Sequence, residues 1–175
     1  MIKKLTLVLS LLFCIYACDT DDEGDGDFST PDPTEYEYTQ EEIDAEIAWI
    51  KTYIEENDIP AVATESGLHY VIEEQGDGLI PDENDATIYH YEIKNLTTGE
   101  DWWVSDREEN PYGEILTVGT HPGAEEILLQ VGEGTTVLMI VPSYLAFGKE
   151  GSYAGVIPPE SIMQYRIELN IVVRY

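Results

Sequence analysis

The sequence predicts an α+β domain: an antiparallel sheet of five or six strands with one short helix on one face, preceded by an extra N-terminal helix. Three observations predict it. Several short segments rich in β-branched and aromatic residues alternate with period two, and the last, Met163 to Val173, does so over its whole length. A single stretch between two of them, PGAEEILLQVGEG (122–134), has helical apolar spacing, with Ile127, Leu128 and Val131 on one side. A separate run, TQEEIDAEIAWIKTYIEEND, carries its own start and stop signals upstream of the first strand.

The chain opens on MIKKLTLVLSLLFCIYAC, where Lys3 and Lys4 precede an apolar run ending at Ala17. A basic start, a short apolar middle and a small residue before the cut describe a secretory signal over residues 1–17. The run is too short for a membrane span, which takes about 20 residues. Ile15-Tyr16-Ala17-Cys18 resembles a bacterial lipobox, which implies lipidation at Cys18, a membrane partner held through that N-terminal lipid anchor, and a place in the cell envelope on its periplasmic face or at the cell surface. Residues 18–38 are acidic, rich in Gly and Pro, and have almost nothing to bury, so a disordered tether is expected.

Residues 39–60 hold the extra helix. Thr39 followed by Glu42 is a capping box, and Ile43, Ile47, Ile50 and Ile54 fall on one stripe before Asn57 and Pro60 end the run. A lone helix on a short linker is expected to lay that stripe on its own domain. The domain itself spans 61–175. Its strands are LHYVIE (68–73), ATIYHYEIK (86–94), EILTV (114–118), TTVLMIVP (135–142) and the final run. In the last, Met163, Tyr165, Ile167, Leu169, Ile171 and Val173 face the core and Gln164, Arg166, Glu168 and Asn170 face water.

Composition excludes much. With Cys14 in the signal and Cys18 lipidated, the folded part has no cysteine, hence no disulfide, thiolate zinc site or thiol nucleophile. A formal charge of −28 gives nucleic acid no basic footprint to bind, so it is not a partner. His69, His90 and His121 lack metal-ligand spacing, and the two on strands are expected to be solvent-facing or simply hydrogen-bonded. No nucleophile elbow, phosphate loop or dinucleotide fingerprint is present. Neither a metal nor a cofactor is expected. What remains is a site with apolar and aromatic walls.

The run VGEGTTVLMIVPSYLAFGKEGSYAGVIPPESIMQYRIELNIV resembles the C-terminal half of FKBP-type peptidyl-prolyl isomerases. Its landmarks come in order: Gly134, a strand ending at Pro142, Ala146-Phe147-Gly148, the Gly151 to Gly155 flap, Ile157-Pro158-Pro159, and the last alternating strand. Upstream, SGLHYVIEEQGDG, YHYEIKNLTTGEDWW and PGAEEILLQ look like that family's first strand, its aromatic-lined second strand and its single helix, so the likeness covers 67–173. The resemblance implies an FKBP-like sheet curled around the short helix, an apolar pocket between them, and cis-trans isomerisation of Xaa-Pro bonds in proline-containing polypeptide clients.

By position, the resemblance carries the pocket onto Tyr91, Trp102, Tyr112, His121, Ala124, Phe147, Ile157 and Tyr165. No side chain among them acts as an acid, base or nucleophile. His121 sits where the family offers a backbone N–H to the ligand, and Ile157 is the aliphatic of the flap. Three positions depart from the family's pattern: Ala124 replaces a floor tryptophan, Trp103 an aspartate with Asp106 nearby, and Phe147 the tyrosine of A-Y-G. A missing floor indole predicts a deeper pocket unless Trp102, Trp103 or another side chain fills it. A missing hydroxyl predicts weaker catalysis, and the alternative function is a non-catalytic peptide-binding module or holdase. Taken as residues alone, Tyr91, Ile157 and Tyr165 also fit ordinary core positions, and Trp102-Trp103 an exposed partner patch or strand-edge packing.

Overall fold

A computed structural model describes residues 37–82, 85–111, 113–116, 123–152 and 155–174. The signal, Cys18 and all but the last two residues of the tether lie outside them, as do Tyr112 and His121. Every described residue belongs to the unit Asp32–Tyr175.

The elements are α1 (Gln40–Glu56), β1 (Val62–Ala63), β2 (His69–Glu74), β3 (Ala86–Asn95), β4 (Glu100–Val104), β5 (Glu114–Leu116), α2 (Glu125–Leu128), β6 (Thr136–Val141) and β7 (Met163–Val173), with a 3-10 turn at Ser143–Leu145. The strands form one sheet in the order β1-β2-β6-β7-β3-β4, with β5 also paired to β3. Every pairing is antiparallel. The five strands expected from periodicity are present. Two more join them: β1, only two residues long, and β4, which the Gly99 turn folds back beside β3.

Alternation along the central strands gives the sheet two buried faces. On β6, Val137, Met139 and Val141 join the main core with Ile127, Leu128 and Val131 from α2 and its C-terminal turn, while Ile140 points the other way. That second face is covered by α1, whose fully buried Ile50 packs with Leu96, Ile140 and Ile162. The predicted stripe therefore does cover its own domain. The capping box forms as expected: Glu42 N donates to Thr39 Oγ1 (3.3 Å) and Thr39 N to Glu42 Oε2 (2.7 Å). Among the described residues no helix is long and apolar enough to cross a membrane.

The last strand departs from its sequence pattern near its end. Ile88 pairs with Ile171 but Tyr89 with Leu169, so one residue of β7 bulges out. A bulge shifts everything beyond it to the opposite face. Ile171 is accordingly 37% exposed and Val172 is buried at 6%, the reverse of the expected alternation. The two strand histidines are hydrogen-bonded and not solvent-facing: both His69 and His90 are buried, and His90 Nε2 donates to the Pro111 carbonyl (3.4 Å). His69 Nδ1 donates to the Gly67 carbonyl (2.9 Å), and burial lowers its pKa so that the neutral ring is favoured.

Candidate functional site

Three adjacent strands supply the walls. Tyr165 on β7 is fully buried between Met139 on β6 and Ile93 on β3, and burial raises the pKa of its phenol. Tyr91 lies opposite Ile167, half-buried, its ring edge-on to Tyr89 at 5.9 Å. Its backbone is held on the β4 side by Ser105: Tyr91 N donates to Ser105 Oγ (2.8 Å) and Ser105 N returns to Tyr91 O (2.9 Å). Trp102 on β4 is half-buried and packs on the same cluster.

The helix side closes the other wall. Gly123 turns the chain at φ +80, where a Cβ would stand 2.6 Å from Val141 Cγ1 and 2.9 Å from the Leu145 carbonyl oxygen. The approach to α2 is thus pressed against the end of β6 and the turn that follows it. Ala124 is fully buried inside the main core, with Trp102 and Phe147 packed on that same core. The deeper pocket expected from the missing indole is therefore filled at Ala124.

Next comes the flap. Phe147 packs on the core at its base, and Gly151 N donates to the Phe147 carbonyl (3.0 Å). Ser152 then ties the loop into a ring: its backbone N donates to Ile157 O (3.0 Å), and its Oγ accepts from Ile157 N (2.7 Å). Gly151, at φ +73, lies so close that a Cβ there would run into the Ile157 carbonyl oxygen. The outcome is that Ile157 is buried to 1% exposure in the main core. On the return, Asn95 is fully buried; its Nδ2 donates to Ser161 Oγ (2.9 Å), and its Oδ1 accepts from Thr97 N (2.9 Å). Ser161 Oγ in turn donates to the Pro158 carbonyl (2.8 Å).

Tyr91, Trp102, Ala124, Phe147, Ile157 and Tyr165 thus come together in one cluster, with Ala124, Ile157 and Tyr165 its buried members. Tyr112 and His121 fall outside the described residues. Asp106, which stood near the family's aspartate position, is committed elsewhere. It is exposed, and its Oδ1 accepts from Glu108 N (2.8 Å) and Glu109 N (3.0 Å), which lowers its pKa. Sequence reasoning missed Ser105, Asn95 and Ser161. Asn95-Leu96-Thr97-Thr98-Gly99 is the side-chain-capped turn that such a pattern signals, whereas the partners of the two serines lie 14 and 66 residues away. Among the described residues no cluster of His, Cys, Asp or Glu can hold a metal ion. The arrangement offers an aromatic, partly buried surface beside the Ser152–Ile157 ring.

Comparison with known proteins matches residues 79–170 to the family description "FKBP-type peptidyl-prolyl cis-trans isomerase". The chain is 35% identical over 107 residues to the FKBP-type 22 kDa peptidyl-prolyl cis-trans isomerase of Escherichia coli K12, covering 61% of this chain and 50% of that one. It is 33% identical over 111 residues to FkpA of Aeromonas hydrophila, covering 61% of this chain and 38% of that one. The chain therefore spans half or less of the length of these curated relatives. The crystal structure of Escherichia coli FkpA superposes with a TM-score of 0.61 at 24% identity, over 76% of this chain and 62% of that one. A Pseudomonas syringae peptidyl-prolyl cis-trans isomerase gives 0.60 at 19% identity, over 75% and 96%. These two likenesses concern the fold.

Proposed function

The chain belongs to the family of FKBP-type peptidyl-prolyl cis-trans isomerases, and from that premise we propose that it accelerates cis-trans isomerisation of Xaa-Pro bonds in extracytoplasmic polypeptides, assisting their folding. The observation that carries this reading is the cluster itself: Tyr91, Trp102, Phe147 and the flap residue Ile157 gathered over buried Tyr165. Rotation about the amide has a barrier of about 18–20 kcal/mol because it breaks C–N resonance. The twisted amide has less charge separation than the planar one, so a water-poor, apolar surface favours it. No nucleophile or proton donor is needed. The partly buried rings of Tyr91, Trp102 and Phe147, beside the flap at Ile157, supply that surface to a proline ring.

The test is turnover of Xaa-Pro peptides followed by exchange NMR or a protease-coupled assay, with acceleration over buffer expected. Interconversion no faster than in buffer, with peptide still bound, would instead support the second reading, a peptide-binding module or holdase. That reading is favoured by one observation, that Phe147 has no hydroxyl for a substrate carbonyl. A hydrogen bond of this kind is worth about 1 kcal/mol. Phe147→Tyr is accordingly expected to raise kcat/KM roughly fivefold.

The same proposal places the protein in the cell envelope, held by lipid on Cys18 and spaced from the membrane by residues 18–38. The sequence features at the N-terminus support it. Cys18→Ser is expected to move the protein from the membrane to the soluble fraction, and continued membrane association would rule the anchor out.

A further inference from the structure

Beside the cluster of Tyr91, Trp102, Phe147, Ile157 and Tyr165 lies a cleft of about 460 Å³, lined by Glu100, Asp101, Trp102, Trp103 and Val156. It adjoins that cluster at two points. Trp102 forms a wall of the cleft while packing on the cluster, and Val156 immediately precedes the buried flap residue Ile157. Trp103 and Val156 are 53% and 54% exposed and line the same cleft, so they form one apolar patch instead of two scattered residues. The two indoles stand at 83° with centroids 5.8 Å apart, which makes an aromatic corner. β4 is the edge strand of the sheet, so the corner is open to an incoming chain.

The two carboxylates select the occupant. Glu100 and Asp101 line the cleft and, among the described residues, no basic side chain does; Lys94 Nζ stands 4.0 Å from Asp101 Oδ1, with both side chains exposed. A purely apolar occupant would leave these carboxylates to be desolvated, and an acidic one would be repelled. A second copy of a chain with charge −28 is repelled as well. A flat cation satisfies both surfaces: a guanidinium stacks on an indole face and pairs with carboxylates.

We propose that this cleft is a specificity subsite that receives an arginine side chain of the client, one or two residues from the proline being turned over. The inference rests on the isomerase reading above, and it assigns Trp103, at the position where the family's pattern has an aspartate, to client selection. Lysine fits less well because its ammonium cannot stack as a plane.

The experiment uses matched Xaa-Pro peptides carrying arginine, or its neutral isostere citrulline, at each of two positions before and after proline. Binding is read from intrinsic tryptophan fluorescence and turnover from exchange NMR. At one position at least, the arginine peptide is expected to bind roughly fivefold tighter than its citrulline twin. That gap should close in Trp103→Ala, close in the Glu100→Gln, Asp101→Asn double variant, and shrink in high salt. Equal binding of both peptides at all four positions overturns the subsite, even if turnover is normal. A gap that survives Trp103→Ala and the double variant overturns it too. Conversely, a Trp103-dependent gap without turnover leaves the subsite standing and removes the isomerase reading. If no peptide binds or is turned over, both fall.

Discussion

At the scale of single residues, the flap depends on a backbone contact that no side chain tolerates. Gly151 combines φ +73 with an approach to the Ile157 carbonyl that leaves no room for a Cβ. Gly151→Ala should therefore open the Ser152–Ile157 ring and release Ile157 from the core, at a cost of about 1–3 kcal/mol. The expected outcome is a kcat/KM lowered by roughly tenfold or more, with the strand amides still protected in hydrogen exchange; unchanged turnover would mean that flap closure is not needed. Gly148 and Gly155 also have positive φ but open space where a Cβ would go, so alanine there should cost less. The glycines of this loop were visible in the sequence. Which of them is indispensable was not, because that follows from the distance between two backbone segments.

At the scale of elements, α1 does more than cover a face. Its first half grips the segment that leads from β6 into the flap. Glu46 accepts from the backbone N of Ser143 (2.8 Å) and, through its other oxygen, from the Ser143 hydroxyl, which also meets Tyr38 OH (2.7 Å). Lys149 Nζ donates to Glu42 Oε1 (2.8 Å) and sits 5.0 Å from the Tyr38 ring centroid. Ser143 is fully buried, so Glu46→Ala strands its N–H and should cost about 1–3 kcal/mol in urea unfolding. Acid probes the same tie. The hydrogen bond from Lys149, then those from Thr39, hold the Glu42 carboxyl down at about 2 from an ordinary 4.5. A pKa lowered by folding means that the folded state binds fewer protons, so this contribution is complete above pH 4.5 and is lost as pH falls through about 2. Lys149→Met removes the largest cause, and the loosening of the first turn of α1, read by amide exchange, should then begin at higher pH. An unchanged profile would show that the helix is held by its apolar stripe alone.

At the scale of the whole molecule, one sheet separates two apolar clusters, and both must form for the site to stand. Ile50 is the fully buried contribution of α1 to the rear cluster, so Ile50→Ala should cost about 2–5 kcal/mol, read as a lower midpoint in denaturant. Because β6 carries Ile140 on one face and Met139 on the other, that loss should appear as a shifted single transition, not as a separate melting of the helix. Much of this architecture was legible in residue order. The Thr39–Glu42 box, the isoleucine stripe, the period-two strands and the landmarks from Gly134 to Pro159 all lie in local patterns, because capping, amphipathicity and turn chemistry act over a few residues. Other features were settled by packing between distant segments. The bulge that buries Val172 and exposes Ile171 comes from the pairing of β7 with β3, and periodicity within one strand cannot reveal a partner's register. The edge position of β4 gives neighbouring tryptophans opposite fates, one packed on the core and one exposed. Ala124 looked like a hole and is a filled core position, since space at one residue is decided by whatever neighbours the chain brings to it.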